Sequence, residues 1–215
     1  MKLPNKWSEI TLKQYQEVIE VSLVDMDDLD KSVKILSVLS GVSEDEITNM
    51  PLTSIKECVK WIRFIYTIPE KTKVLPKVKI GGKRYRINLE LNKLSGGEYI
   101  DLIGYTKEKE TINSNLHYIF SIFMHEINVF GKLKKSNYTK NAKGDYCQKL
   151  DVRNNTAEFI KDKITMDVVF NLSGFFLNLY EGLMKATLDY SITELNKMNK
   201  EIIKEMDSLI TGDGL

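Results

Sequence analysis

The chain has 215 residues, 42% hydrophobic and 28% charged, with 31 Lys and Arg against 30 Asp and Glu for a formal net charge of +1. That length and apolar content suffice to bury a core without staples and exclude a disordered chain, which carries fewer aliphatic and aromatic residues. The even balance lacks the basic excess of a dedicated nucleic-acid binder, and Cys58 and Cys147, far apart and outside any CxxC spacing, exclude a disulfide framework and a cysteine zinc site.

Thr11 with Gln14 reads as a capping box opening a first helix, with Leu12, Tyr15, Val18, Ile19 and Leu23 as its apolar stripe and Trp7 as a staple before the cap. A second helix is predicted from about Leu29 to Ser40, burying Val33, Leu36 and Leu39 and ending at Gly41, a residue that accepts a left-handed conformation. Ser43 with Glu46 reads as another capping box, opening a short helix to about Asn49 that Pro51 breaks. Thr53 or Ser54 starts the next, with Ile55, Cys58, Val59, Ile62 and Ile65 inward, Trp61 and Phe64 widening that face, and Ile68-Pro69 as its stop.

The period then changes from helical to alternating. Val78, Ile80, Tyr85, Ile87 and Leu89 alternate with Lys79, Arg84, Arg86 and Asn88 around Gly81-Gly82. This predicts a hairpin at about 77–89 with a two-residue glycine turn. A lone hairpin is marginal in water, so it must lie on helices or pair with another strand. Ser95 with Glu98 is another capping box, followed by Tyr99, Leu102 and Ile103. Lys107 to Glu110 reads as a solvated connection. Leu116, Ile119, Phe120, Phe123, Met124 and Ile127 then predict one apolar helix from Ile112 to about Val129.

Residues 131–155 show no helical period and are rich in Lys, Asn, Gly and Asp. A connection this long is usually functional or disordered. Thr156, Phe159 and Ile160 restart helix. Ile164 to about Asp189 reads as a long buried helix, and Ser191 or Thr193 caps a last one carrying Ile192, Leu195, Met198, Ile202, Met206 and Leu209. The expected architecture is therefore mainly α. A multi-helix domain over 1–130 contains a small central β-hairpin, a basic loop spans 131–155, and a C-terminal helical hairpin fills 156–215.

The N-terminus, Met1 to Trp7, has no apolar run of the secretory kind. The most apolar window, Met166 to Met184, is interrupted by Asp167, Asn171, Asn178 and Glu181, short of the roughly 18 apolar residues that a membrane span needs. No membrane association is expected, and a reducing compartment is.

Each candidate for chemistry lacks a required residue. His125-Glu126 begins like HExxH, but Ile127, Asn128 and Val129 follow, with no second histidine; His117 and His125, two turns apart on the expected helix, read as ordinary helix histidines. The cluster Asp25, Asp27, Asp28 and Asp30 has neither the glycine nor the closing glutamate of a calcium loop, and reads as the acidic N-terminus of the second helix. Gly81-Gly82-Lys83 is followed by Arg84 where a phosphate loop needs Ser or Thr. No nucleophile–base pair is visible, so no enzyme and no cofactor is expected.

The basic stretch is the candidate contact surface: Lys132, Lys134, Lys135, Lys140 and Lys143, with Tyr138 and Tyr146. Such a stretch either tracks a nucleic-acid backbone with tyrosines stacked on bases, or orders on a protein partner that uses the tyrosines as anchors.

The order of segments carries a further signal. It runs from "NKWSEITLKQYQEVIEV" through "SVKILSVLSGVSEDEITNMPL" to "FIYTIP", then the hairpin "VKIGGKRYRINLELNKLSGGEYIDL" and an apolar helix. Over roughly residues 5–130 this resembles small virion and tail-assembly proteins of tailed bacteriophages, particularly the crAss-like phages of gut Bacteroidales. The resemblance implies a non-enzymatic virion protein, a cargo or structural component near the portal and tail that is ejected with the genome or retained. Its partners would be tail, portal or ring proteins in multiple copies, and its location the virion, with the host cytoplasm during assembly. A tail assembly chaperone is the alternative the resemblance implies, and nucleic-acid binding through the basic loop is the alternative from the residues.

Overall fold

The N-terminal segment is clamped to a segment more than 150 residues away in sequence. In the computed structural model, which describes residues 1–67, 76–88, 90, 93–140 and 146–172, the Leu12 N–H donates to the Ile164 carbonyl at 2.9 Å and the Met166 N–H donates to the Ile10 carbonyl at 2.8 Å. This short antiparallel bridge, Thr11 opposite Thr165, closes a unit spanning Met1–Leu172. The expected boundary near residue 131 falls inside that unit. Residues 173–215, which hold most of the expected C-terminal helical hairpin, lie outside the described residues.

The protein is mainly helical with a small antiparallel sheet. After a 3-10 turn at Trp7–Glu9 come α1 (Leu12–Leu23), α2 (Asp28–Ser40), α3 (Glu44–Thr48) and α4 (Leu52–Trp61). Three of the sequence-predicted helix ends are present, whereas α4 begins at Leu52 after Pro51 with no side-chain cap, and not at Thr53 or Ser54. Thr11 and Gln14 make both bonds of a capping box, the Ser43 side chain accepts from the Glu46 N–H, and Gly41 ends α2 at φ 73°. Asp27 caps α2 and Asp28 and Asp30 occupy its first turn, where the positive end of the helix dipole favours them. Trp7 meets the rings of Tyr15, Phe64 and Phe170 edge-on at 6.1, 5.5 and 4.8 Å.

Two expectations about the first helices are corrected. Leu23 is 81% exposed and Trp61 59% exposed. Leu23 is the last residue of α1, beyond its buried residues Leu12, Gln16 and Val18. At Trp61 α4 passes into a 3-10 turn at Ile62–Tyr66, and the change of pitch rotates Trp61 outward and Ile62 inward.

The hairpin forms as β1 (Lys77–Ile80) and β2 (Lys83–Ile87) around Gly81 and Gly82, at φ 51° and 84°. Its partner was hidden in the expected apolar helix. After α5 (Gly96–Thr106), whose Ser95–Glu98 capping box is complete, α6 (Lys109–Phe123) stops at Phe123 rather than Val129 and the chain becomes β3 (Met124–Ile127). Met124 and Ile127 recur at helical spacing with Phe120 and Phe123, but they are buried on opposite sides of a strand. β3 pairs antiparallel with β2, placing Arg86 opposite His125 and Ile87 opposite Met124, in a sheet of order β1-β2-β3.

The described residues of the stretch expected as a loop also carry regular structure. They contain a 3-10 turn at Lys135–Asn137 and a two-stranded ribbon of β4 (Tyr138–Lys140) and β5 (Tyr146–Gln148). The following helix, α7 (Leu150–Lys163), begins before Thr156. Its buried stripe is Arg153, Thr156, Ala157 and Ile160. This stripe has helical period but opens on a charge, which the Asp101 carboxylate of α5 neutralises by an ion pair. Ile164 and Thr165 are extended in the N-terminal bridge, and helix resumes over 166–172.

α6 is the central element. Ile119, Phe120, Ile122 and Phe123 are all buried, and each such side chain contributes about 1.5–3 kcal/mol of burial. α1 is tied to it by Gln16, whose Nε2 donates to the Asn113 carbonyl at 2.6 Å. The hairpin turn rests on α7: a Cβ on Gly81 would stand 2.7 Å from the Phe159 ring, and Lys83 Nζ lies 4.1 Å over that ring's centre. Among the described residues no helix is long and apolar enough to cross a membrane.

Candidate partner-binding surface

Alternation in the hairpin produces two faces. Ile80, Tyr85 and Ile87 point into the core, while Lys77, Lys79, Arg84 and Arg86 are exposed. The register sets Lys77 opposite Arg86 and Lys79 opposite Arg84, so four cations share one face in two cross-strand pairs. Like charges directly opposite one another destabilise a sheet. Among the described residues no carboxylate stands within ion-pair distance of any of the four.

The rim of this face is a tight turn leaving β3. The Gly131 N–H donates to the Asn128 carbonyl at 2.9 Å, and Gly131 sits at φ 75°. Asn128 Oδ1 accepts from both Phe130 N–H and Lys132 N–H at 3.0 Å. Asparagine and glycine therefore do the conformational work, and the two central positions are left to Val129 and Phe130, 71% and 85% exposed. The face and the turn are joined by two arginines: Arg84 donates to the Val129 carbonyl at 3.2 Å and Arg86 to the Gly131 carbonyl at 2.7 Å. Between them lies a shallow concavity of about 400 Å³, lined among others by Lys77, Lys79, Arg84, Val129, Phe130 and Gly131.

The sequence-predicted contact residues are placed less uniformly. Lys132 and Lys135 are exposed. Lys134 Nζ is 3.0 Å from Glu126 Oε1, in an ion pair at the surface. Glu126 Oε2 also accepts from Asn137 Nδ2 at 3.2 Å. Lys140 is exposed on β4 and is opposite Tyr146 in the ribbon. Lys143 lies outside the described residues. Tyr138 is corrected: it is 7% exposed, its hydroxyl lies 2.9 Å from His125 Nδ1, and burial raises its pKa above the ordinary tyrosine value. It is a core residue of the ribbon, unavailable for stacking on a partner.

The histidines do not share a helix face, because β3 begins between them. His117 on α6 is 3% exposed with Nε2 3.9 Å from Glu158 Oε1. Burial, reinforced by the Lys161 charge and opposed by Glu158, lowers its pKa to about 4. Its Nδ1 finds no hydrogen-bond partner among the described residues. Among the described residues no three His, Cys, Asp or Glu side chains stand together as a metal site.

The cationic face was legible as the alternation of Lys79, Arg84 and Arg86, but its rim was not, since Val129 and Phe130 were read as a helix end and the start of a loop. Comparison with protein-family models, curated proteins and solved structures finds no match for this chain.

Proposed function

We propose that this chain is a non-enzymatic component of a tailed-bacteriophage particle, a cargo or structural protein that docks on other virion proteins near the portal and tail. The particle assignment is supported by the order of segments over residues 5–130. The docking role is supported by one observation above the others: the Val129–Phe130 turn holds two large apolar side chains in water, 71% and 85% exposed. Its own hydrogen bonds come from Asn128 and Gly131, so the fold does not require apolar residues there. Exposed aromatics on a rigid support, rimmed by charge, are the usual anchors of a protein interface.

The working places on this reading are the virion and, during assembly, the host cytoplasm. Mass spectrometry of washed, intact particles of the source phage tests it. The chain is expected among the particle proteins, cross-linked to a portal, ring or tail component. Absence from washed particles, with a tail-protein complex in the lysate, overturns it in favour of a tail assembly chaperone.

A further inference from the structure

The geometry points to the Lys77–Lys79–Arg84–Arg86 face as a binding surface for single-stranded nucleic acid, with Phe130 as its base-stacking residue. This inference rests on the sheet and stands independently of the particle assignment.

The arrangement of the cations comes first. Lys77 and Lys79 on β1, and Arg84 and Arg86 on β2, occupy alternate positions of adjacent strands, so along each strand the charges repeat every two residues, roughly 6.6 Å. That spacing matches the step between successive phosphates of an extended strand. Arg84 and Arg86 also brace the turn, but both cross-strand pairs set like charges opposite one another, at a cost to the sheet. An anionic ligand spanning both rows removes that repulsion. Each guanidinium uses one N–H on a turn carbonyl, which orients it and leaves further donors for phosphate oxygens.

The rim supplies the second component. Phe130, 85% exposed, stands on a turn braced by Asn128 and borders the same concavity as Lys77, Lys79 and Arg84. A cationic track beside an exposed aromatic is the combination that binds single strands, because every base offers a face to stack on and every phosphate a charge. A polyanion without rings, such as polyglutamate, would use the cations but has no planar face to lay on Phe130. A duplex would present its phosphates but keep its bases stacked inside, away from the ring. The chain's net charge is only +1, so any attraction for a polyanion comes from a local cluster of cations and not from the chain as a whole.

Fluorescence anisotropy of the full chain with a labelled oligothymidylate of about 20 nucleotides tests the proposal. Binding is expected to weaken as salt rises, with a log–log slope of about −3 if all four cations meet phosphates. Lys77→Glu/Lys79→Glu is expected to weaken binding at least about tenfold and to flatten the slope by about 1.4. Phe130→Ala is expected to weaken it roughly fivefold or more at an unchanged slope. Circular dichroism melting of both variants confirms that they fold. Lys132→Glu/Lys135→Glu separates this face from the basic stretch beyond it and is expected to act more weakly than the β1 pair. No oligothymidylate binding at about 50 mM salt, equal binding by the folded β1 variant, a larger loss from the Lys132/Lys135 variant, or competition by polyglutamate as effective as by unlabelled oligothymidylate each overturns the proposal. Particle proteomics leaves these outcomes untouched, so this inference and the particle assignment fail separately.

Discussion

His125 Nδ1 and the Tyr138 hydroxyl lie 2.9 Å apart, with the two rings stacked at 5.8 Å between centroids. This contact ties β3 to the β4–β5 ribbon and turns a lysine-rich stretch into part of the core. Tyr138→Phe keeps the ring and removes the bond, and should lower stability by about 1 kcal/mol. Tyr138→Ala also empties a buried volume and should cost about 3 kcal/mol or more. Urea unfolding of the three proteins measures both. Unchanged midpoints would return Tyr138 to the surface role that its sequence context suggests.

His117 gives the fold a pH dependence. Its folded pKa of about 4 lies below the ordinary histidine value of 6.5 that holds in the unfolded chain, so between those values the unfolded chain binds more protons. Stability then rises with pH. The contribution is intact above about pH 6.5 and erodes as pH falls through 4, by roughly 3 kcal/mol in full. His117→Phe keeps a ring against Tyr118 and removes the titration. Its stability should fall less between pH 7 and pH 4.5 than that of the wild type. Equal slopes would mean that the imidazole keeps its solution pKa in the folded protein.

The glycine turn can be dissected one residue at a time. Gly81 and Gly82 both have positive φ, but only at Gly81 would a Cβ meet anything within 4 Å, the Phe159 ring at 2.7 Å and Lys163 beyond it. Gly82→Ala should therefore cost only the left-handed strain, about 1–2 kcal/mol. Gly81→Ala should add overpacking of about 1–3 kcal/mol. In Gly81→Ala/Phe159→Leu the second term should shrink, so the double mutant should cost less than the sum of the two single changes in a double-mutant cycle. Additivity of the two changes would show that the hairpin turn does not bear on α7.

These contacts also mark what the amino-acid order reveals and what it hides. Local devices were legible because their chemistry is local: Thr11–Gln14, Ser95–Glu98, Gly41 and Gly81-Gly82 each satisfy backbone groups within a few residues. β3 was hidden because Phe120, Phe123, Met124 and Ile127 keep helical spacing across the change to strand, and only the unpaired edge of β2 decides in favour of strand. α7 was read as starting late because its buried stripe begins with Arg153, whose partner Asp101 lies on another helix. The alternation of the cations was visible in the hairpin. The exposure of Phe130 was not, since it follows from a turn whose existence depends on β3. The same long-range pairing thus accounts for both the missed strand and the missed rim.

The exposed rim predicts a separation of stability from binding. Val129 and Phe130 are 71% and 85% exposed, whereas Ile127, two residues before Val129, is 6% exposed. Val129→Ser/Phe130→Ser should shift the unfolding free energy by no more than about 0.5 kcal/mol, because neither side chain is packed. Ile127→Ser should cost about 3 kcal/mol, because it leaves a cavity and buries a hydroxyl. If the rim is a docking anchor, the double-serine chain should fold like the wild type and yet be under-represented in particles assembled in its presence, measured against the wild-type chain in the same lysate. Full incorporation of the folded double-serine chain would remove Val129 and Phe130 from the docking surface. A large loss of stability in that variant would show that the turn packs against the protein's own surface, and the exposure on which the docking role rests would be wrong.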